Sequence, residues 1–126
     1  MMDIKKQIEY WKNSAKEDID TAKLLFSGNK FKESLFFCHL AIEKILKAHF
    51  VKTNKDFAPK SHKLTFLAKN SSIGISEEMQ TLFGILMTYQ LEGRYPDYSP
   101  FIPDKDTIES YISKTEEVLQ CLMKKL

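Results

Sequence analysis

The chain is poor in the residues that usually announce a chemistry. It has two cysteines, too few for a disulfide scaffold. Its four glycines (28, 74, 84, 93) are scattered, so neither a Walker A loop nor a G-x-G-x-x-G turn is present, and any nucleotide must be held by side chains and helix ends. Three histidines (39, 49, 62) fall in no H-E-x-x-H pattern and there is no C-x-x-C pair, which argues against a metal or other cofactor. No apolar run approaches the ~18 residues of a membrane span. The stretch from Met1 to Trp11 carries charges throughout and lacks an apolar signal-peptide core, so a cytoplasmic protein without membrane attachment is expected. Arginine is nearly absent: Arg94 is the only one among 19 basic residues, and so the only planar bidentate anion clamp one chain can supply.

What is present suits one globular domain spanning residues 1–126. The hydrophobic share is 43% and the charged share 29%. Folding at this size buries roughly two thirds of the exposed surface, enough for an independent core. The net charge of +2 hides a polarity: residues 44–69 hold seven lysines and one acid, whereas 70–117 hold three basic and nine acidic residues. Two readings follow. The basic segment meets phosphates of RNA or a nucleotide, or, the preferred reading, the two segments fold against each other.

Proline punctuates the chain. None precedes Pro59, and Pro96, Pro100 and Pro103 crowd one stretch, which predicts an ordered loop over 93–103 with helices on both sides. Apolar residues three and four apart (Ile4, Ile8, Trp11, Ala15, Ile19, Ala22) predict a first helix over Asp3 to Ser27, closed by Gly28 at the left-handed position. A second helix is predicted over Phe31 to Lys52, forming an antiparallel hairpin with the first. It is apolar on nearly every side, as befits the centre of a bundle or a helix with one side on a partner chain. Ser61 is expected to cap a short helix through Leu64 and Leu67, and Ser76 a helix that ends at Gly93. A last helix should start near Asp106, with Glu109 completing a capping box. The fold class is all-α: an antiparallel bundle of four main helices plus one short helix.

Candidate site residues stand out by chemistry. Glu43, Lys44 and Lys47 lie among Phe36, Leu40 and Phe50 on the second helix, where charges are costly unless paired, and Glu43 and Lys47 have the favoured i,i+4 order. Arg94, Asp97 and Tyr98 sit on a proline-stiffened turn that reads either as a structural clamp or as an anion- and base-recognition element. Cys38 and Cys121 fall on apolar stripes and read as buried, inert thiols.

Four blocks then resemble a known family. They are Trp11, Ala15, Asp18, Ala22 and Leu25; Ala41-Ile42-Glu43-Lys44-Ile45-Leu46-Lys47-Ala48; Ser61-His62-Lys63-Leu64 with Leu67; and Arg94-Tyr95-Pro96-Asp97. In this order they are similar to the HEPN (higher eukaryotes and prokaryotes nucleotide-binding) domain. The resemblance implies a helical bundle that forms homodimers and binds nucleotide or RNA. It also implies a partner: many stand-alone prokaryotic members act beside a minimal nucleotidyltransferase as a toxin–antitoxin pair. Other members are metal-independent ribonucleases with a site across the dimer interface. Those carry a histidine four to six residues after the arginine, where this chain has Ser99, Pro100 and Phe101, and His39-Leu40 stands where two glutamines are common. RNA cleavage needs a base and an acid, and Arg94 does not titrate near neutrality. The leading expectation is therefore a nucleotide- or RNA-binding module with Arg94, Asp97, Tyr98, Glu43, Lys44, Lys47 and His62 facing the ligand. The alternatives are a ribonuclease that uses Arg94 with a displaced acid–base group, and a dimerisation module that binds only protein.

Overall fold

A computed structural model describes residues 3–89 and 101–126. It holds five helices: α1 (Ile4–Ser27), α2 (Phe31–Asn54), α3 (Leu64–Lys69), α4 (Glu77–Tyr89) and α5 (Lys105–Lys124). Four long helices and one short one match the expected all-α architecture, and no strand occurs among the described residues.

The α1–α2 hairpin sets the frame. Asp3 caps α1 by accepting the Lys6 N–H at 3.1 Å. The other end departs from expectation. Gly28 keeps a negative φ of −90°, and Asn29 takes the left-handed position at φ 62°. Asn29 N–H donates to the Phe26 carbonyl and Lys30 N–H to the Leu25 carbonyl, a Schellman closure in which asparagine does what glycine was expected to do. Ser34 Oγ, buried on α2, donates to the Ala22 carbonyl at 2.8 Å and ties the two helices together.

The all-round apolarity of α2 follows from its central position. It packs against α1, α3, α4 and α5. Leu35, Ile42, Ile45 and Leu46 are fully buried. Phe36, Leu40 and Lys44, four apart, form a half-buried stripe. The helix runs past Lys52 to Asn54, because Thr53 Oγ1 donates to the Ser71 carbonyl and Asn54 Nδ2 to the Asn70 carbonyl, both at 2.8 Å. Lys55 then turns the chain at φ 54°.

Two caps differ from the sequence reading. Ser61 does not cap α3: its hydroxyl accepts the Lys63 N–H at 3.1 Å in a turn upstream, and α3 starts at Leu64 with no side-chain cap. The His62 carbonyl is bound to α2 instead, which keeps this stretch extended. Helix α5 starts at Lys105, capped by Asp104, whose carboxylate accepts the Thr107 N–H at 2.8 Å. Hydrogen bonding by the Thr107 side chain, and then by its N–H, holds the Asp104 pKa below its usual value. Ser76 does cap α4, accepting the Met79 N–H at 3.1 Å, with Glu77 and Glu78 in the first turn where the dipole favours them. The expected end at Gly93, and most of the loop expected over 93–103, lie outside the described residues.

No helix among the described residues is long and apolar enough to cross a membrane.

Candidate functional site

The charged residues of α2 gather around one buried carboxylate. Glu43 is 4% exposed. Its Oε2 accepts from Lys47 Nζ at 3.0 Å, the i,i+4 pair that the spacing favours. Its Oε1 accepts from His62 Nδ1 at 3.1 Å and lies 3.7 Å from His39 Nδ1. His39 in turn donates from Nε2 to the His62 carbonyl at 3.0 Å. The loop before α3 is thus fastened to α2 twice, by its backbone and by its imidazole.

Helix α1 closes the other side. Lys47 Nζ sits 5.2 Å from the Trp11 ring centroid, a cation–π distance. Asp18 Oδ2 lies 2.7 Å from Lys44 Nζ, forming an ion pair. Burial pushes the Asp18 pKa above its usual value, against the opposing pull of Lys44. Trp11 and Asp18 are seven residues apart, two turns on one face, so α1 presents an indole and a carboxylate to the two lysines.

These placements separate the candidate residues. Lys47 is 6% exposed and its charge is matched by Glu43. Lys44 is partly exposed and matched by Asp18. His62 is the member with reach: its side chain is 43% exposed while its Nδ1 is held by Glu43. Because a carboxylate only accepts, Nδ1 carries the proton and, in the neutral ring, Nε2 keeps its lone pair. An acid orients an imidazole, and the imidazole faces outward, which is the arrangement of a positioned base or hydrogen-bonding group. Arg94, Asp97 and Tyr98 lie outside the described residues.

Trp11, Asp18 and His39 are not among the site residues that the sequence suggests. The signal for Asp18 is there: it falls on the apolar stripe of α1 between Ala15 and Ala22, where an unpaired carboxylate is costly.

The two segments of opposite charge do fold against each other, α2 packing on α4 and α5 and α3 on α4, but no ion pair joins them among the described residues. Lys44 and Lys47 pair with Asp18 and Glu43, not with the acidic stretch 70–117. Lys55, Lys60, Lys63 and Lys69 are exposed and pair with no carboxylate among the described residues. The thiols also divide. Cys38 is fully buried and its pKa is pushed up to about 12, chiefly by burial. Cys121 is only half-buried, in a groove of about 560 Å³ between α4 and α5 that also takes in Met79, Tyr111 and Val118. That groove shares no residue with the Glu43 cluster.

The HEPN domain model matches residues 8–126. The chain belongs to the HEPN domain family. Its fold is similar to the crystal structure of TT1696 from Thermus thermophilus, with a TM-score of 0.80 at 18% identity, covering 95% of this chain and 98% of that one. At that identity the likeness speaks for the fold alone. No curated protein matches the sequence. Membership in the HEPN family supports a nucleotide-binding or ribonuclease-like domain, and the polar cluster joins three of the four blocks that carried the resemblance.

Proposed function

We propose that this HEPN domain binds a nucleotide or RNA on the face shared by α2 and the loop before α3, as a homodimer working beside a minimal nucleotidyltransferase in a toxin–antitoxin-type pair. The observation that carries the reading is the half-exposed His62 imidazole held at 3.1 Å by a buried carboxylate that is itself fixed by Lys47. Such a scaffold costs buried charge and offers one oriented polar group to solvent. Glu43 and Lys47 are positioning residues. Lys44 edges the face, and Arg94, Asp97 and Tyr98 supply phosphate and base contacts from the sequence that follows α4. The half-buried stripe of Phe36 and Leu40 beside Lys44 is the surface for the second copy. The test is fluorescence anisotropy with labelled RNA and with a labelled adenine nucleotide. His62→Ala and Arg94→Ala should each weaken at least one of them by roughly tenfold, the worth of one charge-assisted contact. Affinities unchanged in both variants, or a monomer by sedimentation at micromolar concentration, overturn the corresponding part.

One observation favours a second reading, a metal-independent ribonuclease. The Glu43–His62 pair presents an Nε2 lone pair suited to take the 2′-hydroxyl proton as that oxygen attacks phosphorus, while Arg94 stabilises the phosphorane charge and a second acid protonates the departing 5′-oxygen. Cleavage of a labelled structured RNA in chelator, lost in both His62→Ala and Arg94→Ala, selects this reading. Intact RNA with undiminished binding rejects it.

A further inference from the structure

The segment from Lys55 to Lys69 leaves two large aromatic rings in solvent. Phe57 is 61% exposed and Phe66 is 45% exposed. Around them stand the four exposed lysines 55, 60, 63 and 69, which pair with no carboxylate among the described residues. The segment's one acid, Asp56, is engaged locally, its Oδ1 accepting the Phe57 N–H at 2.7 Å. On α3 the buried Leu64, Leu67 and Ala68 face the bundle, and Phe66 and Lys69, with Lys63 just before the helix, are spaced three apart and exposed.

The hydrogen bonds at its ends fix how this segment lies. Asn54 and Thr53 bind the carbonyls that follow α3, whereas His62 binds Glu43 roughly three helical turns back along α2. The loop therefore runs back along α2 and α3 returns beside it. Phe57 lies on the outgoing stretch of this path and Phe66 on the returning α3, which packs on α2, and His62 sits at the bend between them.

We propose that this segment is a track for single-stranded RNA, with the lysines on phosphates and Phe57 and Phe66 as stacking faces. It rests on the RNA-binding reading above and deepens it by naming the strand as single and by assigning the contacts outside the His62 face. A phenyl ring has no hydrogen-bonding edge, so it takes any unpaired base and cannot reach a base inside a duplex. The alternation of lysine and aromatic residues also distinguishes the segment from a membrane-surface helix. Such a helix separates its apolar and basic faces over many residues, and α3 has six.

The experiment compares wild type, Phe57→Ala/Phe66→Ala, Lys60→Ala/Lys63→Ala/Lys69→Ala and His62→Ala against four probes: a short oligouridylate, the same strand in a duplex, AMP, and phosphatidylserine vesicles. All substituted side chains on the track are exposed or at its rim, and matching thermal unfolding curves check that the variants fold. The track requires wild type to prefer the single strand to the duplex. It requires the double phenylalanine variant to lose roughly tenfold or more on the single strand, with AMP binding unchanged. In the triple lysine variant the slope of log affinity against log salt should fall in magnitude by about 2. Oligouridylate binding that depends on His62 but survives loss of both phenylalanines overturns the track and leaves the His62 site standing. No oligouridylate binding by wild type overturns the track and the RNA-binding reading together. Binding to vesicles in place of RNA reassigns the segment to an anionic membrane and overturns the track as well.

Discussion

His39 and His49 lie ten residues apart on the same helix, both are buried, and both donate from Nε2 to a distant backbone carbonyl. His49 reaches the Leu122 carbonyl at 2.7 Å. That carbonyl belongs to the last turn of α5, where the only backbone donor it receives among the described residues is the Lys125 N–H at 3.2 Å. Lys52 does the same for the Lys125 carbonyl at 2.6 Å. This region satisfies a helix end and stops. His39 reaches the carbonyl of His62, and from there the contacts continue through Glu43 to Lys47, Trp11 and the outward imidazole of His62. The difference lies in what is being fastened. One histidine pins a helix terminus, and the other pins a loop that carries a titratable side chain. A buried polar residue is thus a weak sign of function by itself. A buried polar residue whose partners lead to the surface is a stronger one.

The largest effect should come from breaking the second region at its centre. Glu43→Ala leaves the Lys47 ammonium buried and without its carboxylate, which costs about 3–5 kcal/mol of stability by the usual penalty for a half-broken buried pair. Removing both charges in Glu43→Leu/Lys47→Met should recover most of that loss, because the desolvation of both ions disappears together. Urea unfolding of the three proteins measures the cycle. A loss below about 1 kcal/mol in the single variant means that water reaches this pair and that the contrast with the His49 region is false.

The His49 region sharpens the comparison through pH. Burial pushes the His49 pKa below its usual value, with the positive charges of Lys52 and Lys125 adding to it and the bond to Leu122 opposing it. The unfolded chain takes up that proton at about 6.5. Stability from neutral His49 is therefore fully present above about pH 6.5 and is lost as pH falls below it toward the folded value. His49→Gln keeps a donor for the Leu122 carbonyl and removes the titration. The wild-type unfolding free energy should fall more steeply than the variant's between about pH 7 and 5.5. Asp18 acts in the opposite sense, since its raised pKa makes the folded state gain stability as pH drops toward it, but it is common to both proteins and cancels in the difference. Parallel curves defeat the assignment of His49 as a neutral helix-end donor.

The helices were legible in the sequence because their signals are local and repeated. Apolar spacing located α1 and α2, and Ser76 was a correct cap because it stands directly before two glutamates. The misread ends share a cause: a tertiary bond outweighed a local preference. Thr53 and Asn54 stay helical because they have partners beyond α3, and Ser61 yields its capping role because the His62 carbonyl is claimed by His39. Part of the site was equally open to reading. Glu43 and Lys47 declared themselves by spacing, and the burial of Asp18 was implied by its stripe. The attachment of His62 to Glu43 joins residues 19 apart across an irregular loop, and no periodicity encodes that. The 44–69 segment packs on the acidic one as expected, but its ion-pair partners were not legible, for a related reason. Net charge along a chain says nothing of which carboxylate each ammonium meets, and α1 and α2 supplied the acids within one hairpin.

The smallest stability effect, and the one that tests the comparison most directly, belongs to His62→Ala. The side chain is 43% exposed, and removing it takes one partner from Glu43 while leaving Lys47 in place. The loss should be within about 1 kcal/mol, in the range of ordinary surface substitutions rather than broken networks. If His62 served the fold as His49 does, its removal would free the loop, and native-state hydrogen exchange would quicken along α3. The bond from His39 to the His62 backbone carbonyl argues against that, because it survives the substitution unchanged. Near-wild-type urea midpoints and unchanged exchange in α3, together with weakened ligand binding, mark an imidazole kept for what it offers to solvent. A midpoint shift as large as that of Glu43→Ala puts His62 on the structural side of the contrast and removes the central support for a binding face on α2.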